Sequence, residues 1–195
     1  MTSETSDSGS LPTPTTTAER IALVDHVLGL PFPQGDEAED SGVRSSGPGH
    51  HLLILRASED FWDGREEEAV EPAEEEIEAE FSAVATTLTD RWGEPETIDL
   101  WPWLAGDDES EMASAAPEPL GQLCNLAGSM QVWHIPDTTR WLGLTVGQAD
   151  PEFPIWLLAA VGENEVLVTG ALESGALESG VLGAEESGGG DGSGL

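Results

Sequence analysis

Cys124, His134 and Asp137 are the cysteine, histidine and aspartate close enough in sequence to suggest a nucleophile, a base and an orienting acid. The context of Cys124 (GQLCNLA) supplies no helix N-terminus and no cation to lower a thiol pKa. A lone cysteine among apolar neighbours reads as a small core hydrophobe. No G-x-S-x-G elbow is present. The four histidines are His26, His50, His51 and His134. His50 and His51 are adjacent, so on a strand they point to opposite faces. No H-x-x-x-H or C-x-x-C spacing exists, and the acidic runs Asp36 to Gly42 and Asp107 to Glu111 lack the ligand order of an EF-hand loop. No glycine-rich phosphate loop follows a strand. These residues give no catalytic site, no metal site and no cofactor site, and the chain reads as non-enzymatic.

Charge is the dominant feature. The chain has 195 residues, with 39 Asp and Glu against 6 basic residues, all arginine, for a formal net charge of -33. Clustered cations are what a nucleic-acid backbone or an anionic membrane requires, so direct binding to either is excluded. No apolar run approaches the ~18 residues of a membrane span, and the opening MTSETSDSGS lacks the regions of a signal peptide, so a cytoplasmic location is expected. Carboxylates are so numerous that no pair stands out for acid–base work. They suit a basic protein partner instead, drawn in by electrostatic steering.

Seven tryptophans, at 62, 92, 101, 103, 133, 141 and 156, are the other unusual feature. Trp92 and Trp156 read as core. Trp101 falls on the polar parity of its strand, Trp141 shares a face with Gly143 and Gly147, and Trp62 sits in an acidic Asp60-Phe61-Trp62-Asp63 setting. Tryptophan is enriched at interface hot spots, so Trp62, Trp101 and Trp141 are candidate partner contacts. Glu74, Glu75 and Glu76 join them as the acidic counterpart.

The elements that must position these residues follow from periodicity. Thr16 to Glu19 fits a capping box, Ile21, Val24, Val27 and Leu28 fall on one helical face, and Gly29 with Pro31 and Pro33 stops the helix. Residues 34–49 read as a mobile polar loop. His50 to Ala57 is apolar on both parities, which suits a strand buried on both faces. Glu66 to Glu80 holds nine glutamates, with Pro72 expected in the first turn of a helix. Ile77, Phe81, Val84, Leu88 and Trp92 then give a clear apolar stripe ending at Gly93. Thr97 to Trp101 alternates as a strand with Ile98 and Leu100 inward. Leu120 to Met130 fits a short helical turn or an irregular bridge.

Beyond it lies a β-meander. Gln131 to Ile135, Arg140 to Gln148 and Ile155 to Val161 are strands, and Val166 to Thr169 is a further edge strand. In Arg140 to Gln148, Leu142, Leu144 and Val146 take one face and Trp141, Gly143, Thr145 and Gly147 the other.

The expected class is α+β: a two-layer sandwich with a mostly antiparallel sheet of four to six strands and two helices on one face. A crossover through residues 57–97 would make the first two strands parallel. Residues 1–16 read as a disordered acidic arm, 17–169 as one domain with acidic loops, and 170–195, with its GALES repeat, as a low-complexity tail.

Arg91-Trp92-Gly93-Glu94-Pro95, the Trp133-His134 strand, Arg140-Trp141 and the LLAAVGE ending at Glu163 resemble small acidic α+β proteins of high-GC actinobacteria. The resemblance covers less than half the chain and carries no catalytic motif. No established activity comes with it, so no functional residues are carried over; immunity partners of toxins are the type that small acidic α+β proteins of such genomes suggest. The expectation is therefore a module for a basic protein partner. The alternative is an acidic mimic of nucleic acid that blocks a DNA-binding protein.

Overall fold

The computed structural model describes residues 14–34, 39–40, 43–61, 67–104, 117–165 and 167. Trp62, residues 105–116 and residues 168–195 lie outside the described residues, as do residues 1–13.

The first helix, α1 (Thr17–Leu28), forms where the capping box predicts. The Thr16 side chain accepts from the Glu19 backbone N–H, and the Glu19 carboxylate accepts from the Thr15 and Thr16 N–H groups at 2.8 and 3.0 Å. Those hydrogen bonds hold the Glu19 carboxyl below its ordinary pKa. Gly29 caps the C-terminus. The stretch expected as a loop instead carries a hairpin, β1 (Glu39–Asp40) and β2 (Arg44–Gly47), with β2 pairing antiparallel to β3 (His50–Ala57). The Pro48-Gly49 turn explains the difference. Gly49 takes φ 73, a left-handed conformation that favours glycine, and folds β2 back onto β3.

The second helix, α2 (Glu67–Trp92), starts earlier than Pro72 suggests, so Pro72 lies inside the helix. The core stripe Ile77, Val84 and Leu88 anchors the helix beyond it. Gly93 ends it at φ 91, with its N–H on the Thr89 carbonyl at 2.8 Å. Next come β4 (Glu96–Asp99) and two helical turns, α3 (Trp101–Leu104) and α4 (Leu120–Leu123). The meander is β5 (Ser129–His134), β6 (Arg140–Gly147) and β7 (Trp156–Glu163).

The sheet order is β1-β2-β3-β7-β6-β5-β4, and every pairing is antiparallel. Six strands have four or more residues; β1 has two. β3 and β4 run in the same direction, as expected of the two strands joined by the crossover, but they are not neighbours and do not pair. The short β5–β6 and β6–β7 connections force antiparallel neighbours, and the meander returns between them. β7, apolar on both faces, takes a central place beside β3. After β7 the chain turns helical at Asn164 and Glu165, and Leu167 is helical where an edge strand was expected; Val166, Val168 and Thr169 of that expected strand lie outside the described residues.

Strand parity builds two cores. On one face Leu53, Leu55, Trp133, Leu142, Leu144, Leu157, Ala159 and Val161 meet Val24 and Val27 of α1 and Ile77, Val84 and Leu88 of α2. Both long helices thus lie on one face of an antiparallel sheet, an α+β fold. On the other face Leu52, Met130, Val132, Trp141, Leu158 and Ala160 are covered by Leu100, Leu120, Leu123 and Leu167.

Four arginines tie these layers together. Arg20 of α1, 2 % exposed, lies 2.8 Å from Glu80 Oε2 of α2 and donates through Nε to the Leu55 carbonyl of β3. Arg56 of β3 reaches Glu76 at 3.0 Å and Glu80 at 3.7 Å. Arg91 of α2 makes a two-pronged pair with Asp25 of α1 at 2.9 and 3.0 Å. Arg140 of β6 donates to the Leu28 carbonyl and lies over the Phe32 ring.

Candidate functional site

The nucleophile candidates are not assembled into a site. Cys124 is buried in the second core, and its thiol faces the Gly121 carbonyl at 3.3 Å. Burial pushes its pKa up, which suppresses the thiolate. His134 is exposed and faces Asn164 at 3.2 Å and Glu96 at 3.9 Å. Asp137 sits at φ 61 between β5 and β6, where its role is to turn the chain. Among the described residues no group of three or more His, Cys, Asp or Glu is placed to hold a metal ion. No described helix is long and apolar enough to cross a membrane.

A concave feature of the surface is a groove between α2 and the sheet. Its larger part has a volume of about 560 Å³. The floor comes from Leu126, Ala127 and Gly128 before β5, from Val146 and Gly147 at the end of β6, and from Ile155. The wall is Glu74, Glu75 and Glu78 of α2. A smaller part of about 270 Å³ continues past Glu78 and Val146 to Phe81, Thr145 and Thr97. Helix geometry explains the wall. Ile77, Val84 and Leu88 turn into the core. Residues 74, 75 and 78 share a neighbouring face, because positions three and four apart stack on a helix.

The acids of α2 divide between two faces. Glu76 and Glu80, four apart, meet Arg56 and Arg20. Glu74, Glu75 and Glu78 have no ion pair among the described residues. Glu71, also exposed, extends this unpaired stripe at helical spacing. Like charges three and four apart repel by a few tenths of a kcal/mol per pair.

The six sequence candidates separate accordingly. Glu74 and Glu75 line the groove, whereas Glu76 is engaged with Arg56. Trp101 is 63 % exposed. Its indole packs so closely over Gly128, a groove-lining residue, that a Cβ there would lie 2.8 Å from Nε1. Trp141, expected as a partner contact, is instead core, because it is 0 % exposed. Its ring occupies the space left by Gly162 and Gly143, and its Nε1 donates to the Glu163 carbonyl at 2.9 Å. The helical turns of α3 and α4 cover the face it was expected to leave open. Trp62 lies outside the described residues.

Sequence reasoning missed Glu78 and the floor. The i, i+4 spacing of Glu74 and Glu78 would have found the first. The floor joins residues 126–128 to 146–155 and follows only from strand pairing.

No family model, no curated protein and no solved structure matches this chain.

Proposed function

We propose that this chain is a non-enzymatic cytoplasmic binding module that holds a basic protein partner in the groove beside α2. One observation carries the reading: three carboxylates with no ion pair among the described residues stand over a mostly apolar, concave floor. Coulomb attraction would steer a cationic surface toward α2, and burial of the half-buried Val146 and Leu126 against the partner would retain it. Trp101, exposed beside Gly128, supplies an aromatic contact near the same place. An immunity-type role against a basic toxin is the particular form suggested by the likeness to small acidic actinobacterial proteins.

The test uses the full chain as bait in a native lysate, beside the charge-reversed variant Glu74→Arg, Glu75→Arg, Glu78→Arg. The expected result is a basic protein retained by the wild type at low salt, shed at high salt and lost from the variant. Its association rate with purified wild type should also exceed that with the variant. Equal capture by both baits would overturn the reading. A captured DNA-binding protein that duplex DNA displaces would favour the nucleic-acid mimic instead.

A further inference from the structure

The groove's shape and charge order say more about the occupant. The apolar floor and the acidic wall run side by side along α2. The wall repeats with the helix, at positions 71, 74, 75 and 78, so its charges recur about every 5.4 Å along the groove. A segment lying alongside α2 meets carboxylates at that interval on one side and Val146, Ile155 and Leu126 beneath. We infer that the groove takes a basic amphipathic helix of a partner protein, with Lys or Arg recurring each turn toward α2 and aliphatic residues facing the floor. This inference rests on the proposed protein-binding role and specifies the element that enters the groove.

Charge complementarity selects that occupant. A second copy of this chain, also at -33, would bring its own acids against the wall. An extended basic strand places same-face residues about 6.6 Å apart and drifts out of register with the wall over two turns. A helix keeps the period, and i, i+3, i+4, i+7 anchoring is the general mode of helix-in-groove recognition. The basic side chains would also relieve repulsion within the stripe, which no described arginine pairs.

The experiment compares two fluorescently labelled synthetic peptides of identical Leu and Lys composition. In one, lysines recur at every helical turn along one face; in the other, the order is scrambled. Each is titrated with the full chain, with binding read by anisotropy and helix formation by circular dichroism. The periodic peptide should bind more tightly than the scrambled one and gain helicity on binding. The double variant Glu74→Gln, Glu78→Gln should weaken it by about tenfold, as expected from losing two partly exposed charge pairs. Val146→Thr, nearly the same shape but polar, should weaken it by several-fold without changing its salt dependence.

Equal binding of the two peptides would overturn the inference, because charge alone would then suffice. So would an affinity that ignores Glu74→Gln, Glu78→Gln. The two levels remain separable. A basic lysate protein lost on charge reversal, with no preference for the periodic peptide, would leave the groove reading standing and remove the helix. If neither the lysate protein nor the peptide responds to the wall, both fall.

Discussion

His51 offers a quantitative test of how the first helix is joined to the sheet. It lies on β3, with its ring against Phe32 at 5.0 Å between centroids and its Nδ1 2.8 Å from Ser46 Oγ. Burial lowers its pKa from 6.5 to about 4. Arg44, Arg140 and His50 add repulsion of the same sign, and the Leu30 backbone acts in the opposite direction. In the unfolded chain the imidazole titrates near 6.5. Between those values the unfolded state holds more protons than the folded state, so stability falls as pH falls. The contribution is present in full above about pH 6.5 and is lost progressively down to about pH 4. From pH 7 to pH 5 the linkage amounts to about 2 kcal/mol.

The acids of a chain at -33 act in the opposite sense, because protonation relieves their mutual repulsion. A difference between two proteins removes that background. His51→Leu keeps an apolar side chain and deletes the titration. Its loss of the Ser46 hydrogen bond costs about 1 kcal/mol at every pH. Urea unfolding followed by tryptophan fluorescence at pH 7, 6, 5 and 4 gives both stabilities. The stability of wild type relative to the variant should fall by about 2 kcal/mol between pH 7 and pH 5 and by about 1 kcal/mol more by pH 4. A gap that stays constant across this range would refute the reasoning, because the folded imidazole would then protonate as readily as the unfolded one.

Other substitutions probe the remaining contacts. Gly162→Ala builds a Cβ 2.5 Å from Trp141 Cζ2, and overpacking of this kind should cost about 2–3 kcal/mol, seen as a lower urea midpoint and an altered near-ultraviolet dichroism. Glu80→Ala leaves the buried Arg20 guanidinium without its 2.8 Å partner; a loss of about 3 kcal/mol in urea unfolding is expected, and adding Arg20→Met should recover part of it. Thr16→Ala removes the cap of α1 and should cost about 1 kcal/mol by the same measurement. Glu74→Gln, Glu78→Gln should raise the stability of the free protein by about 0.5 kcal/mol at low salt, an effect that added salt erases.

Local signals carried much of this fold. Thr16, Glu19 and Gly29 delimit α1 because capping is satisfied within a few residues. His50 to Ala57 became β3 at the bounds that its continuous apolar character implied. The alternation in Arg140 to Gly147 placed Leu142 and Leu144 on the helix side and Trp141 on the other. What failed was non-local. The cover over Trp141 comes from Leu100, Leu120, Leu123 and Leu167, residues separated by long stretches of chain. A hairpin in a polar segment has little apolar pattern to announce it, because β2 pairs through backbone groups on a sheet edge. The candidate site was half legible. Glu74 and Glu75 stood out as charge, but the apolar floor that makes their position a groove depends on which strands meet beneath α2.

The distribution of charge on α2 bears on why so much acid is present. Glu76 and Glu80 meet Arg56 and Arg20, contacts that hold α1, α2 and β3 together. Glu74, Glu75 and Glu78 lie on the other side of the apolar stripe of the same helix, and no described arginine pairs with them. Solubility requires charge somewhere on the surface and is indifferent to where. It accounts for a net charge of -33 but not for an unpaired, self-repelling row beside an apolar concavity. A partner with complementary charge gives that arrangement a physical purpose. On the proposed reading, repulsion in the free protein would become attraction in the complex, and the apolar floor would supply the burial that charge at the rim cannot. The measurable signature is an opposition of two effects in one variant. Neutralising Glu74 and Glu78 should stabilise the free chain while weakening its hold on a basic segment, whereas a merely solubilising row would show only the first.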